Sequence, residues 1–143
     1  QRGGREPGTV RVAEYIRIAV DDDVDTARRA FANALLPYAL GDRTATARDR
    51  RRGYRAHFER MGFAEVLAKL EALREQGVPQ ADLIEAFPAG FLLKVGYFGT
   101  AAGAKDAFLE LAEGLDTAMV RVVTARTGPE AALAVMRACA PAS

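Results

Sequence analysis

Val10-Arg11-Val12-Ala13-Glu14-Tyr15-Ile16-Arg17-Ile18-Ala19-Val20 decides the fold class. Val10, Val12, Ile16, Ile18 and Val20 alternate with Arg11, Ala13, Tyr15, Arg17 and Ala19. Period two with many β-branched residues predicts a strand. Only Glu14 breaks the apolar face. Apolar residues also appear on the opposite face, as expected of a parallel strand covered on both sides. A second strand is predicted at Ala118-Met119-Val120-Arg121-Val122-Val123, within an extended region at 115–125.

Helices fill the space between. Asp21-Asp22-Asp23 is followed by Val24, Ala27, Phe31, Ala34, Leu35 and Tyr38 at helical spacing. An Asp here caps free amides and suits the positive end of the helix dipole. Pro37 is predicted to kink or end this helix near Leu36, and Gly41 to close the segment. A further helix over 63–76 carries Val66, Leu67, Leu70 and Leu73 on one face, and Gly77 and Pro79 stop it. Short helices are expected at 80–87 and 88–95, each opened by a residue at or beside a proline. Gly96-Tyr97-Phe98-Gly99 reads as a short extended stretch. Thr100 is predicted to cap a helix over 101–113, and Gly114 stops it. Thr127-Gly128-Pro129 opens a last helix, expected to bury Ala132, Leu133, Val135, Met136 and Cys139. The segment 42–55 is polar, with arginines at 43, 48, 50, 51, 52 and 55, and reads as an exposed loop.

The order strand, helices, strand, helix implies parallel strands and a right-handed crossover. Two main strands do not make a stable sheet alone. Residues 1–143 are therefore expected to form a single incomplete α/β domain.

Composition excludes several functions. Of 143 residues, half are hydrophobic and 27% charged, an ordinary globular mix. Lys+Arg is 20 and Asp+Glu 19, so the basic surplus of a sequence-independent nucleic-acid binder is missing. All the basic residues but Lys69, Lys94 and Lys105 are arginine. One cysteine, Cys139, forms no internal disulfide, and with one histidine, His57, no structural zinc site is expected within the chain. No run approaches the roughly 20 apolar residues that span a bilayer, so no membrane partner is expected and a cytoplasmic location is. The sequence does not open on Met, and no signal peptide is expected.

Several stretches resemble a known family. Arg2-Gly3-Gly4-Arg5-Glu6-Pro7-Gly8 followed by the first strand and Asp21-Asp22-Asp23 is similar to a late strand of the luciferase-like flavin and deazaflavin oxidoreductases, as is Asp25-Thr26-Ala27-Arg28-Arg29. Gly96-Tyr97-Phe98-Gly99-Thr100, a helix, then Gly114-Leu115-Asp116-Thr117 and the second strand resemble that family's last helix-strand unit. The similarity is greatest to the actinobacterial deazaflavin branch. The family often carries Pro-Glu after the Gly-Thr turn, where this chain has Ala101-Ala102.

The resemblance implies the C-terminal part of a (β/α)8 TIM barrel, helix-rich with two main parallel strands. A full barrel needs roughly 250 residues. It further implies an oxidoreductase or monooxygenase that moves hydride through coenzyme F-420, a deazaflavin, or through FMN. The small-molecule substrate is unspecified. Partners would be the remaining N-terminal barrel segment or a second chain, with a homo-oligomer expected. Ring-binding and proton-transfer residues would lie upstream of Gln1, so no catalytic residue is assigned and residues 1–143 alone are expected to be inactive. The alternative is a stand-alone α/β interaction module that completes its sheet with a partner or by self-association.

Each candidate residue carries a plain reading beside the functional one. Asp21-Asp22-Asp23 can bind a hard cation or cap a helix, and capping is preferred. Gly99 and Thr100 open a helix whose amides can hold a cofactor phosphate or be capped in the ordinary way. Lys94 stands just before that turn; in sugar-phosphate-oxidising relatives a basic residue here meets the substrate phosphate, and otherwise it is a surface lysine. Arg17, read near the end of the first strand, can meet an anionic cofactor tail or pair with Glu14 or another carboxylate. Arg121 lies within the second strand. The arginines at 48–55 read as a solvated loop. His57 reads as a helix-surface or packing residue and Cys139 as a buried, inert thiol.

Overall fold

The computed structural model describes residues 7–41 and 53–141. Eight residues form the central strand β1, Ala13–Val20, and the last five, Ile16 to Val20, are all buried. Val10 and Val12 precede the strand and are exposed. β1 pairs in parallel with β2, Gly96–Gly99, from Arg17 opposite Gly96 to Val20 opposite Gly99. On its other side it pairs in parallel with β3, Thr117–Thr124, from Ala13 opposite Thr117 to Val20 opposite Thr124. The sheet order is β2-β1-β3.

The sequence predicts two main strands, and the structure contains a third, β2. Four residues, two of them glycine, carry no alternation and low strand propensity. Their strand state comes from pairing with β1. Gly96 is obligatory there: a Cβ would stand 2.4 Å from the Arg17 carbonyl and 2.6 Å from the Phe31 ring.

The two-residue period of β1 splits the core in two. Ala19 faces one core with Phe98 and Val123 of the neighbouring strands. Ile16, Ile18 and Val20 face the other. Helix α1, Val24–Leu40, covers the first face and buries Ala27, Phe31, Leu35 and Leu40. Behind it lie α2 (Tyr54–Phe58), α3 (Ala64–Glu75), α4 (Gln80–Glu85) and α5 (Ala89–Lys94). Phe58, Phe63 and Phe87 surround Phe91, with centroids 5.3, 4.4 and 5.9 Å away. Burying each such ring is worth about 1.5–3 kcal/mol. On the second face, α6 (Ala101–Leu111) and α7 (Pro129–Ala138) pack through Ala104 and Val135.

The chain leaves β1 over the first face to reach β2. It then returns over the second face to reach β3, on the far side of β1. Opposite directions on opposite faces give both crossovers the same hand, as the preference for one handedness requires.

Three local expectations change. Helix α1 runs through Pro37 to Leu40, because its last turn buries Ala39 and Leu40; Gly41 ends it at φ +65° with its N–H on the Pro37 carbonyl at 2.9 Å. Residues 42–52 of the arginine-rich loop at 42–55 lie outside the described residues, but Tyr54 and Arg55 belong to α2. Arg55 is 14% exposed and pairs with Glu59 at 3.0 Å and Glu71 at 2.7 Å, held down as Ala56 and Phe58 enter the core. A wide turn at Glu59–Phe63, with Gly62 at φ +93°, joins α2 to α3. In α7, Leu133 and Met136 are exposed, since only the Val135 side of the helix meets the sheet.

Gly96→Ala is expected to cost about 2–3 kcal/mol in urea unfolding, because backbone and ring must both move. Gly90→Ala, where a new Cβ meets nothing within 4 Å, is expected to add about 0.5–1 kcal/mol.

Candidate functional site

The strands' carboxyl ends gather the acidic run. Asp23 caps α1: its carboxylate accepts from the Asp25 N–H at 3.1 Å and from the Thr26 hydroxyl at 2.7 Å. Asp21 does something else. Its side chain is 7% exposed and accepts two bonds from Arg126, at 2.6 and 2.8 Å, and one from the Asp23 N–H at 3.0 Å. Its own N–H donates to the Gly99 carbonyl at 3.0 Å. Asp21 thus ties the ends of β1, β2 and β3 together. The Arg126 guanidinium beside it holds its carboxyl below the ordinary range. Arg126 was not legible as a partner, since 105 residues separate the two.

A cavity of about 410 Å³ opens at this edge. Asp21, Asp22 and Glu130 line it against Arg126, with Ala101 and Ala134 as walls. Three carboxylates against one guanidinium make it unfavourable for anions.

Gly99 and Thr100 sit at the same edge. The Gly99 carbonyl is already taken by Asp21, and Thr100 makes no side-chain cap bond to α6. A Cβ at Gly99 or at Gly103 would come within 2.5 Å of the Tyr97 hydroxyl, which donates to the Thr100 carbonyl at 2.9 Å. The two glycines make room for Tyr97, and burial pushes its phenol up.

Lys94 is exposed at the end of α5, at the amino end of β2. A four-residue strand, roughly 13 Å of rise, separates it from Thr100. His57 is exposed on α2 beside the Phe58 ring, 5.9 Å away. Cys139 is half-buried after α7, and burial pushes its thiol up, which disfavours the reactive thiolate.

Arg17 is not at the strand end. It is the fifth residue of β1, opposite Gly96 and opposite Arg121 of β3, and faces the α1 layer at 8% exposure. Its guanidinium carbon lies 4.6 Å from the Tyr38 ring centroid, and that of Arg121 lies 5.3 Å away. Arg121 donates to the Tyr38 hydroxyl at 2.7 Å. That bond, with the two cations behind it, lowers the phenol's pKa against the opposing effect of burial. Among the described residues neither Arg17 nor Arg121 pairs with Glu14 or any other carboxylate. A cleft of about 640 Å³ opens here, between α1 and β3.

Arg126→Ala is expected to lower the melting temperature by roughly 1–4 °C at pH 7. The folded Asp21 pKa is depressed, so its stabilisation is present above the unfolded value and disappears as pH falls through the folded one. Melting curves of the two proteins should therefore converge as pH drops below the ordinary carboxylate range.

No family model matches the chain, and no curated protein or solved structure matches it.

Proposed function

We propose that this chain supplies part of a luciferase-like oxidoreductase that moves hydride through a deazaflavin or FMN, and that it joins the rest of the enzyme along the outer edge of β3. The observation that carries the joining is the state of that strand. All eight β3 residues pair with β1 on one side, and with no described strand on the other. Only Val123 of β3 is buried. An eight-residue edge with free N–H and C=O groups is a template for another strand. The parallel α/β sheet agrees with the α/β class of the family that 2–29 and 96–123 resemble, but a barrel carries helices on its outer face alone, whereas here they cover both faces.

The cofactors named by that resemblance carry phosphate tails. Asp21, Asp22 and Glu130 at the carboxyl edge do not fit such a tail, so no step through the cofactor is derived from these residues. The barrel form of the reading meets a second difficulty. In a barrel, consecutive strands are neighbours, which would put β2 between β1 and β3; here β1 lies between them. The order β2-β1-β3 suits an open doubly wound sheet instead, and hydride chemistry is known on such sheets too. Such an enzyme works in the cytoplasm. Among the described residues no helix is long and apolar enough to cross a membrane.

The same open edge favours a second reading, a module that completes its sheet by self-association. Two measurements separate them. The complete protein encoded by the reading frame containing residues 1–143 is expected to bind deazaflavin or FMN one to one; binding of neither overturns the oxidoreductase reading. Light scattering on residues 1–143 is expected to give a monomer in which the β3 amides facing away from β1 exchange fast. A dimer in which those amides become protected establishes the module instead.

A further inference from the structure

We propose that the cleft between α1 and β3 binds a small organic molecule through a phosphate monoester, held between the guanidiniums of Arg17 and Arg121. The inference is independent of the oxidoreductase reading.

Arg17 is the only charged residue buried as a whole, backbone included, among the described residues, and no described carboxylate meets it. A buried charge without a counter-charge is strongly disfavoured. The Tyr38 ring offsets part of that cost but supplies no negative charge. The register then places a second cation directly opposite it, Arg121 on β3. Like charges opposite each other on paired strands destabilise a sheet. A dianion between them removes both penalties together. Two planar guanidinium forks match the oxygens of a phosphate in charge and in geometry.

The rest of the cleft agrees. Its lining holds no acidic residue. Arg29 adds a third cation at the rim, where Glu85 anchors it at 2.6 Å from outside the cleft. Asn33 also lines the cleft; its carbonyl oxygen accepts from Gln80 at 2.7 Å, which turns its amide nitrogen into a free donor. Ala30, Ala34 and Ile84 supply apolar wall for the organic remainder. The volume, about 640 Å³, lies within the range of small-molecule sites. The carboxyl-edge cavity, with three acids, has the opposite character.

The test is titration of the 143-residue chain with inorganic phosphate and with phenyl phosphate in chloride-free buffer. Calorimetry and the guanidinium Nε–H signals in nitrogen-15 NMR provide the readouts. One site is expected, with the Arg17 and Arg121 signals shifting together and phenyl phosphate binding more tightly than phosphate. Arg121 is exposed, so Arg121→Gln is the main variant, with circular dichroism to verify folding. It should weaken phosphate at least tenfold, whereas Arg121→Lys should recover part of the loss. Lys105→Gln, on α6 across the sheet, should change nothing. Unchanged affinity in Arg121→Gln, or equal loss in Lys105→Gln, overturns the site. Succinate binding as tightly as phosphate overturns the phosphate class and reassigns the cleft to dicarboxylates.

Discussion

Parallel pairing of β1 on both sides is the interaction on which the rest of the molecule depends. Among the described residues β1 is the only strand with two neighbours, and its residues alternately feed the two cores. Remove it and β2 and β3 have no contact through the sheet. The α1 layer and the α6–α7 layer would likewise lose the wall between them. From Ile16 to Val20 burial on both faces leaves no polar side chain in the strand except Arg17. That exception is informative, because a core strand tolerates a cation only where something compensates for it.

The two edges of the sheet are chemically unlike. At the carboxyl ends, Asp21 and Arg126 neutralise one another and fasten three strand ends, which leaves a surplus of acid from Asp22 and Glu130. On the sheet face beneath α1 the surplus is cationic, with Arg17 and Arg121 sharing the ring and hydroxyl of Tyr38. A net charge of +1 hides this separation completely. Charge balance over a chain limits what classes of partner it attracts at long range; it does not describe any one cleft.

Local pattern made most of the helices and two strands legible. The alternation in β1 and β3, the Asp23 cap and the stops at Gly41, Gly77 and Gly114 all follow from residues within a few positions of one another. What escaped depends on distance along the chain. β2 is a strand only because β1 lies beside it, and Gly96 is explained only by the Arg17 carbonyl and the Phe31 ring. The Pro37 break was outweighed by burial of Ala39 and Leu40 in the last helical turn. Gly99 and Thr100 read as a helix start open to a phosphate or an ordinary cap, yet the glycines at 99 and 103 serve the Tyr97 ring. Of the candidate residues, Arg17 was legible as a cation on a strand, but its level in the sheet and its match with Arg121 were not. Arg126 carried no local signal at all.

The position of β1 also has a temporal meaning. Its partner β3 lies 104 residues downstream, Thr117 opposite Ala13, so during synthesis the strand emerges long before β3 exists. Closing a loop of that length carries an entropic cost that local helices do not face. The helices α1 to α5 can dock on one another through Phe91 and Leu67 first, while Ile16, Ile18 and Val20 wait uncovered. An apolar strand kept waiting is open to pairing with the wrong neighbour. The central strand of the finished sheet is thus the segment most in need of a chaperone while the chain is being made.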